Sequence, residues 1–414
     1  MRDFLPAEKA RRERVLAVIR DSFRAHGFDE IETPVMEDSE RLHAGLGGDN
    51  EKLAFAVMKR GLTVESLREA AEPLELADLG LRYDLTVPLT RFYATHRAEL
   101  PTVFRSIQIA PVWRAERPQK GRYRQFVQCD IDVIGEAGPL AEIELISATA
   151  ATLDALGLTE CTIRVNDRRL ITSALTVLGF PRKVHESALI TIDKLDKLGP
   201  DGVVAELRER AFPDEPVAAL AAFLRRPELP EQAFGADAIR AALPEGVDED
   251  AVMQLAAIGE AVEHGRDRRL VHFDPWLVRG MGYYTGTIFE IAHPALGYSL
   301  GGGGRYDGMV GRFLGTDVPA AGFSLGFERL VDLVQLPESG GIDAVALIYE
   351  RDVAPAHAVA LQAELVRKGR RVRLLQRPRN LTGALDQLSA SGFTHFATVT
   401  STSTTADLQF RPLA

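Results

Sequence analysis

Thirteen residues, RAERPQKGRYRQF (114–126), set Arg114, Arg117, Lys120, Arg122 and Arg124 against a single acid, Glu116, in a chain whose formal net charge is −10. Cations crowded around one turn repel one another unless an anion or carboxylates intervene, and the planar guanidinium fork suits phosphate oxygens. Taken alone, the segment reads either as a solvated surface loop or as a phosphate-binding hairpin. On a strand, Arg114 and Glu116 share a face, so one could hold a phosphate while the other accepts hydrogen bonds from a base or ribose. A second group is LVRGMGYYTGTIFE (277–290), where Arg279 precedes Tyr283 and Tyr284. An arginine among apolar strand residues is costly to bury unless it is paired in the core or binds an anion. GGGGRYDG (301–308) allows close backbone approach to a ligand, or makes a tight turn, and lacks the Gly-Lys-Ser/Thr of a P-loop. In GFSLGFERL (322–330), Arg329 stands where a strand passes into a helix, as an exposed cap or a further ligand cation.

These residues need a frame. The 414 residues exceed one compact core, so two or three domains are expected. With 46% hydrophobic and 26% charged residues the composition is that of a globular protein. No apolar run reaches the roughly 18 residues of a membrane span, and the N-terminus lacks a secretory pattern, which points to the cytoplasm and no membrane partner. Two cysteines, Cys129 and Cys161, and nine scattered histidines show no zinc or other transition-metal spacing. An acidic chain lacks the broad positive surface of a nonspecific nucleic-acid coat, yet allows a local basic site.

The order of elements follows from periodicity. A helix with Val15, Leu16, Ile19 and Phe23 on one face ends near Gly27, and an extended arm follows through Pro34. Residues 64–79 read as a surface helix. LGLRYDLTVPLTRFYATHR turns from strand to helix near Pro88, which makes Asp84 and Thr86 candidates for the lip of a site. FRSIQIAPVWRAER and RQFVQCDIDVIG alternate as an antiparallel pair joined by the basic loop. A helix stopping at Gly157 and the strand CTIRVND come next, then a Leu- and Ala-rich helical stretch over 168–260. Strand signals resume over RLVHFDPWLVRGMGYYTGTIFEIA and SLGGGGRYDGMV, AAGFSLGFERLVDLV runs from strand into helix, and a βαβαβ tail forms a small α/β domain.

Taken together and in this order, the motifs resemble histidyl-tRNA synthetase, a class II aminoacyl-tRNA synthetase, over nearly the whole chain. MRDFLP through Pro34 resembles motif 1, FRSIQIAPVWRAERPQKGRYRQF motif 2 and GFSLGFERL motif 3; LVRGMGYYTG and GGGRYDG are similar to the histidine-specific signatures, and ITIDKLDKLG also fits. The resemblance implies an α+β fold, an antiparallel catalytic sheet flanked by helices, with catalytic parts at 1–167 and 261–337, a helical insertion at 168–260 and a shortened anticodon-binding-like domain at 342–414. It implies histidine-tRNA ligase activity on L-histidine, ATP with Mg2+ and histidine tRNA, and a homodimer through motif 1. By the same resemblance Arg114 and Arg279 serve catalysis at the carboxylate and α-phosphate, and Glu116, Arg122 and Arg329 bind the rest of ATP. Asp84, Thr86 and Gln128 receive the α-ammonium, Asp132 and Tyr284 the imidazole, Tyr283 lines its wall, and Arg117 and Gln119 meet the tRNA acceptor end. The family usually has Asp where Gly282 stands, and many members have Glu at Asp132. A catalytically silent, synthetase-like regulatory subunit of ATP phosphoribosyltransferase is the alternative, and a noncatalytic RNA-binding module a third.

Overall fold

The computed structural model describes residues 1–46, 53–117, 121–226, 234–266, 268–279, 283–336 and 343–413, with the side chains of 43–46 and 73 outside that description. The chain divides into two compact units, Ala17–Val334 with Met1, and Gln335–Ala414 with Arg2–Leu16. The first elements are α1 (Pro6–Ala25), β1 (Asp29–Glu30), β2 (Met36–Asp38), α2 (Ser39–Leu46), β3 (Phe55–Met58), α3 (Val64–Glu69), β4 (Ala77–Leu81) and α4 (Thr86–His96). The stretch 64–79 is therefore not one helix. The helix ends at Glu69 with Ala70 extended, and Ala77–Leu81 is drawn into the middle of a small sheet ordered β2-β4-β3, where pairing outweighs local helical preference.

The long hairpin β5 (Phe104–Trp113) and β6 (Gln125–Ile134) precedes α5 (Leu140–Ala155) and β7 (Thr162–Asp167). Between residues 168 and 263 the described residues form only helices: α6 (Arg168–Val177), α7 (His185–Ile192), α8 (Leu195–Glu209), α9 (Asp214–Leu224), α10 (Ala236–Ala242) and α11 (Glu249–Glu263), besides a short 3-10 turn. The chain returns through β8 (Val271–Phe273), β9 (Thr287–Ala292), β10 (Gly301–Arg305), α12 (Asp307–Leu314), β11 (Ala320–Gly326) and α13 (Phe327–Leu333). The main sheet runs β1-β5-β6-β11-β10-β9-β7-β8, antiparallel except for the parallel pairs β1/β5 and β7/β8 at its edges. This is the mixed, largely antiparallel sheet with flanking helices expected for the class. Residues 274–279 and 283–286 lie outside any strand, contrary to the expectation for that stretch. Pro275 lacks a ladder donor, and the Asp274 carboxylate accepts the Trp276 amide at 3.0 Å, turning the chain out of the sheet.

The four glycines 301–304 form β10, in the interior of this sheet, which is the strand expected over SLGGGGRYDGMV rather than a tight turn. They are needed for close approach: a Cβ on Gly303 would fall 1.9 Å from the Gly322 carbonyl oxygen, and one on Gly302 would fall 2.7 Å from both Arg279 Nη1 and the Phe289 carbonyl oxygen. Arg305, which ends the strand, is buried with Glu142 of α5, its Nε and Nη2 donating at 2.7 Å to the two carboxylate oxygens. α5 is buried on most of its surface rather than along one stripe, because it packs against β6, β11 and α11. Both cysteines are fully buried.

In the second unit, β12 (Ala344–Tyr349), α14 (Pro355–Arg367), β13 (Arg371–Gln376), α15 (Leu381–Ala390), β14 (His395–Val399) and β15 (Arg411–Pro412) build a sheet ordered β13-β12-β14-β15, parallel for its first three strands. Val345, Leu347, Leu361, Leu365, Ala397 and Val399 form its core. Among the described residues no helix is long and apolar enough to cross a membrane.

Candidate active site

A cleft of about 300 Å³ opens on the main sheet. Its floor comes from β6, where the period of two turns Gln128, Asp130 and Asp132 to the same face. Opposite them in register on β11 stand Gly326, Ser324 and Gly322. Gly322 leaves the room that Asp132 occupies, since a Cβ there would sit 2.0 Å from Asp132 Oδ1. Asp84 lies just before α4, where its Oδ1 accepts the Val87 amide at 3.1 Å, and Thr86 is the first residue of that helix. Arg279, Tyr283 and Tyr284 enter from the loop before β9, and Arg114, Glu116, Arg122 and Arg329 line the same cleft.

Each arginine is held differently. Arg279 Nη1 donates to Glu290 Oε2 at 2.7 Å while the guanidinium rests over Gly302, so the core ion pair and the cleft position coexist in one side chain. Glu290 also lies 3.6 Å from Arg164, which binds Asp274 and, at 2.7 Å, Asp196 at the start of α8 in ITIDKLDKLG. Arg114 stands over the rings of Tyr83 at 4.3 Å and Phe126 at 5.0 Å, with Nε donating to the Tyr83 carbonyl at 3.2 Å. It is one residue beyond β5, not within the strand, although its amide still donates to the Arg124 carbonyl at 2.9 Å. Glu116, also past the strand, pairs with Arg122 at 3.0 Å. Arg329 Nε donates at 3.0 Å to the carbonyl of Gly121, whose φ of +73° the turn requires, and its guanidinium faces Tyr298. Arg117 is exposed and is not part of the cleft lining; Gln119 and Gly282 lie outside the described residues.

The floor is strongly acidic and shut off from water. Burial pushes the Asp132 carboxyl up to about 7, against the hydrogen bond donated by the Tyr306 hydroxyl at 2.6 Å. Burial and the neighbouring Asp132 charge push Asp130 well above the carboxylate range, and burial also raises Asp84. Closely set carboxylates of this kind favour a cation or multiple N–H donors between them. Asp130 and Tyr306 were not singled out in sequence, nor was Glu290 as the partner of Arg279. The alternation Gln-x-Asp-x-Asp held the signal for Asp130, and Tyr306 and Glu290 both lie inside stretches already notable for other residues.

The mainly antiparallel sheet and the cleft of arginines and carboxylates set on it define a class II aminoacyl-tRNA synthetase. A family model described as histidyl-tRNA synthetase matches residues 1–330. A histidine–tRNA ligase of Leifsonia xyli subsp. xyli (strain CTCB07) is 61% identical over 421 aligned positions, covering 100% of this chain and 97% of its own. A crystal structure of histidyl-tRNA synthetase from Nostoc sp. PCC 7120 has TM-score 0.78 at 26% identity, covering 100% of this chain and 93% of the other. A Bacillus halodurans C structure described as an ATP phosphoribosyltransferase regulatory subunit/histidyl-tRNA synthetase has TM-score 0.77 at 21% identity, covering 97% of each chain, and shares the fold.

The chain belongs to the histidyl-tRNA synthetase family, and its activity is that of a histidine–tRNA ligase. The full-length identity to a ligase favours this over the regulatory-subunit alternative, from which the fold alone does not separate it. Family membership implies histidine, ATP and tRNA as substrates.

Proposed function

We propose that the cleft divides into an amino acid floor and a nucleotide wall. An oxygen of the histidine carboxylate attacks the α-phosphorus of ATP, the bond to the β-phosphate oxygen breaks, and pyrophosphate leaves. Charge moves across the phosphoryl group in that step, and fixed cations stabilise it without reorganising. Arg279 stands beside the carboxylate and α-phosphate, Arg114 binds the α-phosphate, Arg122 and Arg329 take the outer phosphates, and Glu116 meets the adenine side. Asp84, Thr86 and Gln128 receive the α-ammonium, Asp132 and Tyr284 satisfy the two ring nitrogens, and Tyr283 packs beside them. The observation that carries this reading is that all of these side chains line one cleft.

Magnesium would enter with the ATP phosphates. Glu328, which lines the cleft along with Arg329, is a hard oxygen donor of the type it accepts. In the second step a hydroxyl of the terminal tRNA adenosine attacks the adenylate carbonyl and AMP leaves; exposed Arg117, with Gln119, guides that acceptor end. Residues 1–167 and 261–337 then form the catalytic domain, 168–260 the insertion and 342–414 an anticodon-binding domain, in a cytoplasmic homodimer. Val35, Met36, Met58, Leu74 and Leu79, on or beside the small sheet, are 36–59% exposed, which suits a self-association face.

Purified protein with histidine and Mg-ATP is expected to exchange labelled pyrophosphate into ATP only when histidine is present; no exchange would refute the assignment of roles in this cleft. Tyr306→Phe supplies a pH test. The Tyr306 hydroxyl favours the ionised Asp132, so its loss drives that carboxyl above about 7. If the carboxylate is the form that accepts the ring N–H, histidine affinity falls as pH drops through the Asp132 value. The variant is then expected to raise KM for histidine several-fold at pH 7 and to shift the KM profile to higher pH; an unshifted profile would sever Asp132 from imidazole recognition.

A further inference from the structure

Three buried oxygen atoms of the cleft floor have no hydrogen-bond partner: Asp84 Oδ2, Gln128 Oε1 and Asp130 Oδ1. Their residues are 3%, 8% and 4% exposed, and all three line the cleft. Their other polar atoms are engaged. Val87 satisfies Asp84 Oδ1, Gln128 Nε2 donates to Ser324 Oγ at 2.9 Å, and Asp130, beside the Ser324 hydroxyl that also supports its carboxylate, has Oδ2 3.5 Å from Gln128 Nε2. The Gln128 amide is thus turned with its nitrogen toward Ser324 and Asp130, leaving its oxygen over. Buried acceptors left unmade are costly, so three on one floor call for a ligand that brings three donors.

A primary ammonium carries three N–H donors on one atom together with a positive charge. The ring nitrogens of histidine already have Asp132 and Tyr284 in the reading above, and Asp130 lies between Gln128 and Asp132 on the same strand face. We propose that Asp130 is a third acceptor for the α-ammonium of the bound amino acid, completing with Asp84 and Gln128 a cup for a primary ammonium. This rests on the amino acid floor proposed above and adds to it a specificity residue that the family resemblance did not assign.

The test uses the full-length protein, with Asp130→Asn in place of wild type, and two competitive probes of pyrophosphate exchange. Histidinol keeps the ammonium and the ring and lacks the carboxylate; imidazolepropionate keeps the carboxylate and the ring and lacks the ammonium. Loss of a charge-assisted bond is expected to raise KM for histidine and Ki for histidinol at least tenfold. KM for ATP stays put, and Ki for imidazolepropionate stays put or falls. Equal weakening of both probes would assign Asp130 to the ring and overturn the proposal, as would no change in either. A parallel rise in KM for ATP would make the residue a structural support of the floor and overturn it too. Absence of histidine-dependent exchange in wild type is a different result, and would remove the underlying reading itself.

Discussion

Arg279→Ala is expected to lower histidine-dependent pyrophosphate exchange by at least a hundredfold, about 2.7–4 kcal/mol of transition-state stabilisation, the scale of deleting one preorganised charge-stabilising donor. The side chain is fixed before substrate arrives, because Glu290 holds Nη1 and Gly302 leaves its guanidinium room. Lysine is a poor substitute, since an ammonium cannot bond Glu290 and a phosphoryl oxygen through a planar fork. Arg117→Ala makes the contrast: exchange stays within about twofold of wild type, while single-turnover transfer of histidine to tRNA slows by about tenfold, roughly one 1.4 kcal/mol step. Equal loss of exchange in both variants would contradict the separation of adenylation from acceptor-end guidance.

The largest stability effect is expected at Glu142. It is 0% exposed and bonds Arg305 through both oxygens, while Arg305 also donates to the carbonyls of Glu136 and Gly138. Glu142→Leu leaves the guanidinium stranded beside Asp307, at 3.3 Å, and the two carbonyls, and the cost is expected at about 3 kcal/mol, read as a lower urea midpoint. Adding Arg305→Met to Glu142→Leu removes the stranded charge, so the double variant is expected to recover most of the loss. A double variant as unstable as the single one would mean that the pair holds the sheet by shape rather than charge.

Much of the fold was legible because local pattern and tertiary role agree in it. Phe104–Trp113 and Gln125–Ile134 alternate, pair and carry the floor, and the helices of 168–260 announce themselves by period and punctuation. Legibility failed where long-range contact overrode local preference. Ala77–Leu81 is a strand because two neighbours flank it, and although the 301–304 strand was expected, its need for glycine comes from Arg279, Phe289 and Gly322 crowding it, which local sequence does not encode. For the cleft, residue types drew attention to Arg279 and Arg329, but not to what anchors them. Glu290 and the Gly121 carbonyl come from other elements, and only folding brings them within bonding distance. Asp130 is the reverse case: its two-residue spacing from Gln128 and Asp132 was readable without any structure.

The glycine strand has a consequence for inhibitor design. Gly301, Gly302 and Gly303 present bare backbone to the cleft, and a Cβ at these positions would meet, at 2.5, 2.7 and 1.9 Å, the carbonyl oxygens of Ser324, Phe289 and Gly322. Drug resistance commonly arises when a single base change swells or alters a contacting side chain, but here no side chain exists to alter, and adding one prises neighbouring strands apart. A compound whose affinity comes chiefly from that wall would press on a surface that point mutation cannot reshape without opening the sheet beneath it.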